Sequence, residues 1–156
     1  MDSLTADTID YIAIRRLQDA YADIVTRRAW TELHEIFVAD IDVSVDRRTG
    51  DPLTFNGPAE IGQFIARQID HMDFFQFVIL NTCVFQNVGG NPDHAIARMY
   101  IDELRHEHGR FTHAYGLYRD DYRRLDGRWW FTRRRYQSLA RTGPAYETFD
   151  LAPSEF

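Results

Sequence analysis

The stretch that decides the fold is RFTHAYGLYRDDYRRLDGRWWFTRRRYQSLAR, residues 110–141. Two segments rich in aromatic residues flank the dipeptide Asp126-Gly127, which suits the positive φ angles of a tight hairpin turn. Side chains alternate between the two faces of a strand, so each arm should offer one set of side chains to a core or a pocket. We therefore predict a hairpin of two long strands in a strongly curved sheet.

The parity of each arm predicts which side chains share a face. On the first arm, one face carries Gly116, Tyr118, Asp120 and Tyr122. On the second arm, one face carries Trp129, Phe131, Arg133 and Arg135, and the other carries Trp130, Thr132, Arg134 and Tyr136. Which of the two faces of the second arm points inward stays open.

The first half of the chain predicts three helices that cover this sheet. Apolar residues recur every three or four positions from Asp7 to about Arg28, with Thr5 or Asp7 as the N-cap. A short second helix follows from about Trp30 to Val38, and Gly57-Pro58 begins a third.

The remaining segments read as strands and loops. Strict alternation over 41–45 predicts a half-buried strand, and 47–56 reads as a loop. Long extended segments follow at 74–88 and 95–106, separated by the turn residues 89–92. Helices followed by antiparallel strands indicate an α+β fold.

Composition limits the possible functions. With 156 residues and 44% hydrophobic composition, residues 1–156 are expected to form one domain, with 142–156 as an irregular tail. The formal charge of −6 argues against nucleic-acid binding. Cys83 is the one cysteine, so neither an internal disulfide nor a multi-cysteine metal site is possible. No apolar run reaches the roughly 18 residues of a membrane span, and the N-terminus is too acidic for a signal peptide, so a cytoplasmic location is expected.

The order of elements, the segment YADIVTRRAWTELHEIF (21–37) and the segment YRDDYRRLDGRWWFTRRR (118–135) resemble the SnoaL-like branch of the nuclear transport factor 2-like superfamily. The similarity is greatest to dehydratase-like members such as scytalone dehydratase and bile-acid dehydratase. The resemblance implies a cone-shaped α+β barrel: a curved, mainly antiparallel sheet with three helices on its concave face. It also implies a pocket between sheet and helices, no cofactor, and commonly a homodimer.

The same resemblance locates candidate catalytic positions and two departures from the family pattern. Tyr21 stands at the tyrosine position of the bile-acid dehydratase type. Thr26 stands where the family carries an aspartate, and Phe77 where it carries a histidine. A second acid/base position of the family falls near Asp102.

Three residues are candidates for catalysis. Asp102 lies in the apolar run MYIDEL, where a dry pocket would raise the pKa of its carboxyl and suit it to acid/base work. A solvated position or an arginine partner is the alternative. The phenol of Tyr21 could stabilise an enolate or simply pack in the core. His113 could form an acid/base pair with Asp102, although its parity is opposite to that of Tyr118.

Five further residues are candidates for contacts with a small, flat ligand: Tyr118, Asn81, Tyr100, Phe77 and Trp129. No metal site is expected, because His106 and His108 lie at a turn and no carboxylate–histidine set has ligand spacing. These patterns favour a cofactor-independent dehydratase, isomerase or polyketide cyclase that acts on a small cyclic or polyketide-like ketone. The alternatives are a non-catalytic subunit resembling the small subunit of ring-hydroxylating dioxygenases, or a protein that binds a small aromatic ligand.

Overall fold

The computed structural model describes residues 2–143 and 147–148. Its helices are α1 (Ser3–Arg27), a 3₁₀ helix (Trp30–Glu35), α2 (Pro58–Ile69) and a 3₁₀ turn (Val88–Gly90). Its strands are β1 (Phe37–Val45), β2 (Leu53–Asn56), β3 (Phe74–Gln86), β4 (His94–Glu107), β5 (Arg110–Leu125), β6 (Arg128–Arg141) and β7 (Glu147–Thr148). Within these ranges no helix is both long enough and apolar enough to cross a membrane.

The strands form one mixed sheet in the order β2-β1-β6-β5-β4-β3, and β7 adds a short pairing to β6. All pairings are antiparallel except that of β1 with β6. Among the described residues β2 and β3 are the edge strands and do not pair with each other, so the sheet is open and does not form a closed barrel. The predicted α+β fold, with three helices and a mainly antiparallel sheet, is confirmed.

Helix α1 buries one face against the concave side of the sheet. That face supplies Ile14, Leu17, Tyr21, Ile24 and Val25 to the core. The helix begins before the predicted caps, because Asp2 is the N-cap and its carboxylate accepts a hydrogen bond from the Thr5 amide at 2.8 Å. It ends at Arg28, whose φ of 60° turns the backbone into the left-handed region.

The segment 53–56 was predicted as part of a loop, but it forms the edge strand β2 and pairs with β1. Four residues after Asp51-Pro52 are too few to show the alternation that identifies a strand. The second predicted helix is shorter than expected and has 3₁₀ geometry over Trp30–Glu35.

The hairpin at Asp126-Gly127 is confirmed, with φ angles of 51° and 76° at the two turn residues. The predicted parity of its second arm is wrong beyond Phe131. Asp121 pairs with Arg133 while Tyr122 pairs with Phe131, so Thr132 is an extra residue on β6. This β-bulge shifts the alternation, and Phe131 and Arg134 both point into the core.

The bulge creates a buried ion pair. The guanidinium of Arg134 donates to both carboxylate oxygens of Asp120, from Nε at 2.7 Å and from Nη2 at 2.9 Å. The two side chains are 1% and 0% exposed. The phenol of Tyr122 donates to Asp120 at 3.2 Å and accepts from Gln18 of α1 at 2.9 Å. The pair therefore connects β5, β6 and α1.

We predict that Asp120→Asn lowers the free energy of unfolding by about 3–5 kcal/mol, because it leaves the Arg134 guanidinium buried without a counter-charge. Urea denaturation followed by circular dichroism measures this. The matched control is Asp42→Asn, which breaks the exposed pair of Asp42 with Arg133 (3.6 Å) and should cost less than about 1 kcal/mol. Equal losses in the two variants would contradict the structural role of the buried pair.

The absence of a side chain at Gly116 leaves space for the ring of Tyr136 on the neighbouring strand. A Cβ added at Gly116 would lie 2.3 Å from Cε2 and 2.9 Å from the hydroxyl of Tyr136. We predict that Gly116→Ala destabilises the fold by about 1–3 kcal/mol through this overlap. In a double-mutant cycle of unfolding free energies, the cost of Gly116→Ala should shrink when Tyr136 is changed to Ala. Additive losses would show that the strain arises elsewhere.

Candidate active site

A pocket of about 330 Å³ lies between the concave face of the sheet and helix α2. We call it the α2 pocket. Its apolar lining is formed by Val45, Leu53, Phe64, Ile65, Ile69, Met72 and Phe75. Its polar lining is formed by Asp46, Arg47, Arg48, Gln68, Glu103, Arg105, Tyr118, Tyr136 and Arg141. An apolar wall opposite a small set of convergent polar groups is the usual composition of a small-molecule site.

Strand β4 supplies one of the two carboxylates of the pocket, Glu103. Its odd-numbered residues Ala95, Ala97, Met99 and Ile101 are fully buried in the core, and Glu103 continues that face into the pocket. Glu103 pairs with the guanidinium of Arg105, two residues along the same face, and the two side chains are 14% and 19% exposed. The ladder places Glu103 directly opposite Phe77 on β3.

Three phenols lie beside this carboxylate. The rings of Tyr118 and Tyr136 are 5.0 Å apart and both line the pocket. The ring of Tyr21 lies 6.0 Å from that of Tyr118, on the core side. The guanidinium of Arg134 packs against the faces of Tyr21 and Tyr118, 3.9 Å from the centre of the first ring and 4.1 Å from that of the second.

Burial sets the acidity of these phenols. Exclusion of water raises the pKa of Tyr21, Tyr118 and Tyr136 above the ordinary value, because it disfavours the phenolate. The charge of Glu103 raises each pKa further, whereas the charge of Arg134 lowers the pKa of Tyr21 and of Tyr118. The phenols are therefore neutral hydrogen-bond donors at neutral pH, the form that can stabilise an enolate oxygen.

Asp102 and His113 lie together, as predicted for a pair, but on the convex face. The His113 Nδ1 atom is 2.8 Å from one carboxylate oxygen of Asp102, and its ring stacks on Tyr115. The prediction that Asp102 lies in an apolar pocket is wrong, because the apolar set of β4 is the odd-numbered one. Neither residue lines the α2 pocket.

Thr26 and Phe77, the two departures from the family pattern, are neighbours in space. The hydroxyl of Thr26 accepts a hydrogen bond from the backbone amide of Phe77 at 3.0 Å. The Phe77 ring packs edge-on against Tyr21 with centroids 5.3 Å apart. These two positions thus carry a neutral contact in this chain and no acid/base pair.

The other predicted ligand contacts lie away from the pocket. Trp129 is at the opposite end of the core, where its indole donates to Asp10 of α1 at 2.9 Å and Arg124 stacks on its ring. Asn81 is exposed on the edge strand β3. Tyr100 is on the even-numbered, convex face of β4. Of the five, only Tyr118 lines the pocket.

The sequence prediction missed Glu103, Arg105, Tyr136 and Arg141. A signal for Glu103 and Arg105 was present, because the apolar series Ala95, Ala97, Met99, Ile101 shares their parity. No comparable signal existed for Tyr136 and Arg141, whose faces depend on the bulges of β6.

A second groove, of about 470 Å³, lies between the 3₁₀ helix and α2. Gly62 lets the two elements approach there, and the one titratable side chain in the lining is that of His34. Acid/base chemistry therefore has more support in the α2 pocket. In the described part of the chain, no three histidine, cysteine or carboxylate side chains gather in a way that could hold a metal ion.

We predict that stability falls as the pH rises above about 10, the ordinary pKa of tyrosine. Tyr21, Tyr118, Tyr122 and Tyr136 have raised pKa values in the folded state, so the unfolded chain releases their protons first. The folded state then holds more protons than the unfolded state, and the free energy of unfolding decreases with pH. Urea denaturation between pH 8 and pH 11 measures the slope. Tyr118→Phe should make it shallower, and an unchanged slope would contradict the shift at Tyr118.

Solved structures share this architecture at low sequence identity. A provisionally named scytalone dehydratase from Novosphingobium aromaticivorans has a TM-score of 0.78 and 18% identity, over 97% of this chain and 99% of that one. The hexachlorocyclohexane dehydrochlorinase LinA-type3 from Novosphingobium barchaimii has a TM-score of 0.72 and 18% identity, over 99% and 98%. An NTF2-like protein with a cystatin-like fold from Novosphingobium aromaticivorans has a TM-score of 0.70 and 24% identity, over 89% and 92%. These similarities establish the fold.

A comparison with curated proteins gives no significant match. The family model of the SnoaL-like domain matches residues 6–135, which include most of α1, all of α2 and of strands β1 to β5, and the first half of β6. The chain therefore belongs to the SnoaL-like domain family.

Proposed function

We propose that this protein is a cofactor-independent lyase or isomerase that moves a proton next to a carbonyl group in the α2 pocket, with Glu103 as the base. The observation that carries the proposal is the convergence of the Glu103 carboxylate and two neutral phenols on a pocket with an apolar wall. A carboxylate removes the proton, and phenols stabilise the oxygen that becomes negative. Membership in a family with dehydratase and dehydrochlorinase relatives of the same fold supports this class of reaction.

The proposed step needs no redox partner. A carboxylate oxygen of Glu103 takes the proton from the carbon next to the carbonyl, and the electron pair of the C–H bond forms an enolate. Tyr118 donates a hydrogen bond to the enolate oxygen. Where a β,γ double bond of the substrate extends the enolate, return of the proton to the γ-carbon gives isomerisation; where the β-carbon carries a leaving group, its loss gives elimination. The substrate would be a small cyclic ketone, since the apolar wall of α2 suits a ring.

Relocation of the base explains the unusual pair Thr26 and Phe77. Glu103 lies directly across the β3–β4 ladder from Phe77, so the carboxylate is one strand away from the position where dehydratase-like relatives carry a histidine. Tyr21 contacts both the Phe77 and Tyr118 rings and positions the phenol of Tyr118 from the core side.

Deuterium exchange of 1-tetralone in D₂O, followed by proton NMR, tests the proposal, because proton removal next to the carbonyl is the step shared by isomerisation and elimination. We expect the protein to accelerate exchange, and Glu103→Gln to reduce the accelerated rate by about a hundredfold or more. Asp102→Asn, one residue away on the opposite face, should leave the rate unchanged. Loss of exchange in Asp102→Asn and not in Glu103→Gln would place the chemistry on the convex face instead.

A second candidate function is binding of a small aromatic ligand without turnover. It is favoured by the neutral contact between Thr26 and Phe77 at positions where dehydratase-like relatives carry an acid/base pair. On this alternative, 1-tetralone binds to the wild type and to Glu103→Gln with similar affinity, and neither protein accelerates exchange.

A further inference from the structure

The α2 pocket is positively charged in a chain that is acidic overall. Four arginines and two carboxylates line the pocket, a formal excess of two positive charges, whereas the whole chain has a formal charge of −6. A pocket with low-dielectric walls concentrates the field of such charges and attracts ligands of opposite sign.

The two carboxylates of the lining are already engaged. Asp46 accepts hydrogen bonds from the backbone amides of Arg48 at 2.7 Å and of Ser138 at 3.1 Å. Glu103 pairs with the guanidinium of Arg105. Neither carboxylate makes a salt bridge to Arg141.

Among the side chains that the structure describes, no carboxylate makes a salt bridge to the Arg141 guanidinium. The one hydrogen bond of its guanidinium there is a long one, 3.4 Å from Nη2 to the Ser138 hydroxyl. Its Nε is buried and has no hydrogen-bond partner among the described residues. The same is true of the Tyr136 hydroxyl, on a side chain more than nine-tenths buried. Buried donors without acceptors are costly, so this part of the lining is suited to an added acceptor.

We propose that the ligand of the α2 pocket carries a carboxylate, which pairs with the Arg141 guanidinium and accepts a hydrogen bond from the Tyr136 hydroxyl. A guanidinium matches the two oxygens of a carboxylate in one plane, and its single positive charge matches a single negative charge. The substrate class is thus a cyclic keto acid. This inference rests on the proposed function only in assigning the same pocket to the substrate; the charge preference is measured by binding alone.

Isothermal titration calorimetry with 2-naphthoate and its neutral analogue 2-naphthamide tests the inference. We expect the wild type to bind 2-naphthoate at least roughly tenfold more tightly, in line with the gain from a charge-assisted hydrogen bond. Arg141→Gln should remove this preference. Arg133→Gln, which changes an exposed arginine of the same strand, is the matched control and should retain it.

Any of three results would overturn the inference. The wild type could bind the two compounds with equal affinity, Arg141→Gln could keep the preference for 2-naphthoate, or 2-naphthoate could show no measurable binding at millimolar concentration. Tighter binding of 2-naphthyl phosphate than of 2-naphthoate would overturn the assignment to a carboxylate. Glu103→Gln should keep the preference for 2-naphthoate, since it removes a negative charge and leaves Arg141 intact. A preserved preference without 1-tetralone exchange in the wild type would mean that the proposed reaction fails while the anion site stands.

Discussion

The structure depends on one guanidinium that packs against two phenol rings and pairs with one carboxylate. Arg134 pairs with Asp120 in the core and contacts the ring faces of Tyr21 and Tyr118. Removal of two charges from water is expensive, and the cost is recovered only when geometry and hydrogen bonds are nearly complete. Here the two-point contact with the carboxylate and the contacts with the ring faces supply that compensation. The pair fixes the packing of α1 on the sheet and the orientation of the Tyr118 phenol at the pocket.

Much of the fold could be predicted from the sequence because it is encoded locally. The Asp126-Gly127 turn, the helical spacing in α1 and the alternation along β5 each need only a few consecutive residues. The bulge at Thr132 is different, because nothing in WWFTRRR marks which residue is extra. It is stabilised by the ion pair that it makes possible, a contact between residues on two strands. The edge strand β2 was missed for a related reason, since its partner β1 and not its own four residues defines it.

The candidate site was harder to predict than the fold because a shift of one residue moves a side chain to the other face. Asp102 and Glu103 are adjacent carboxylates on β4. Because side chains alternate along a strand, Asp102 lies on the convex face and Glu103 lies in the pocket. The family pattern favoured Asp102, whereas the series Ala95, Ala97, Met99 and Ile101 favours Glu103. The structure agrees with the apolar series, since Glu103 lines the α2 pocket and Asp102 does not. The structure brings the rings of Tyr21 and Tyr118 to within 6.0 Å of each other on the inner side of the sheet.

The parallel pairing of β1 with β6 has a consequence for synthesis of the chain on the ribosome. Phe37 pairs with Phe131, ninety-four residues later, so β1 stays without its long partner until almost the whole chain has emerged. The hairpins of β3 to β6 join neighbours in sequence and close small loops, whereas this contact closes a large one and is entropically expensive. During that interval β1 and the apolar face of α1 are exposed to other chains. The nascent protein is thus most prone to aggregation before β6 is complete, and a truncation within β6 would extend that state indefinitely.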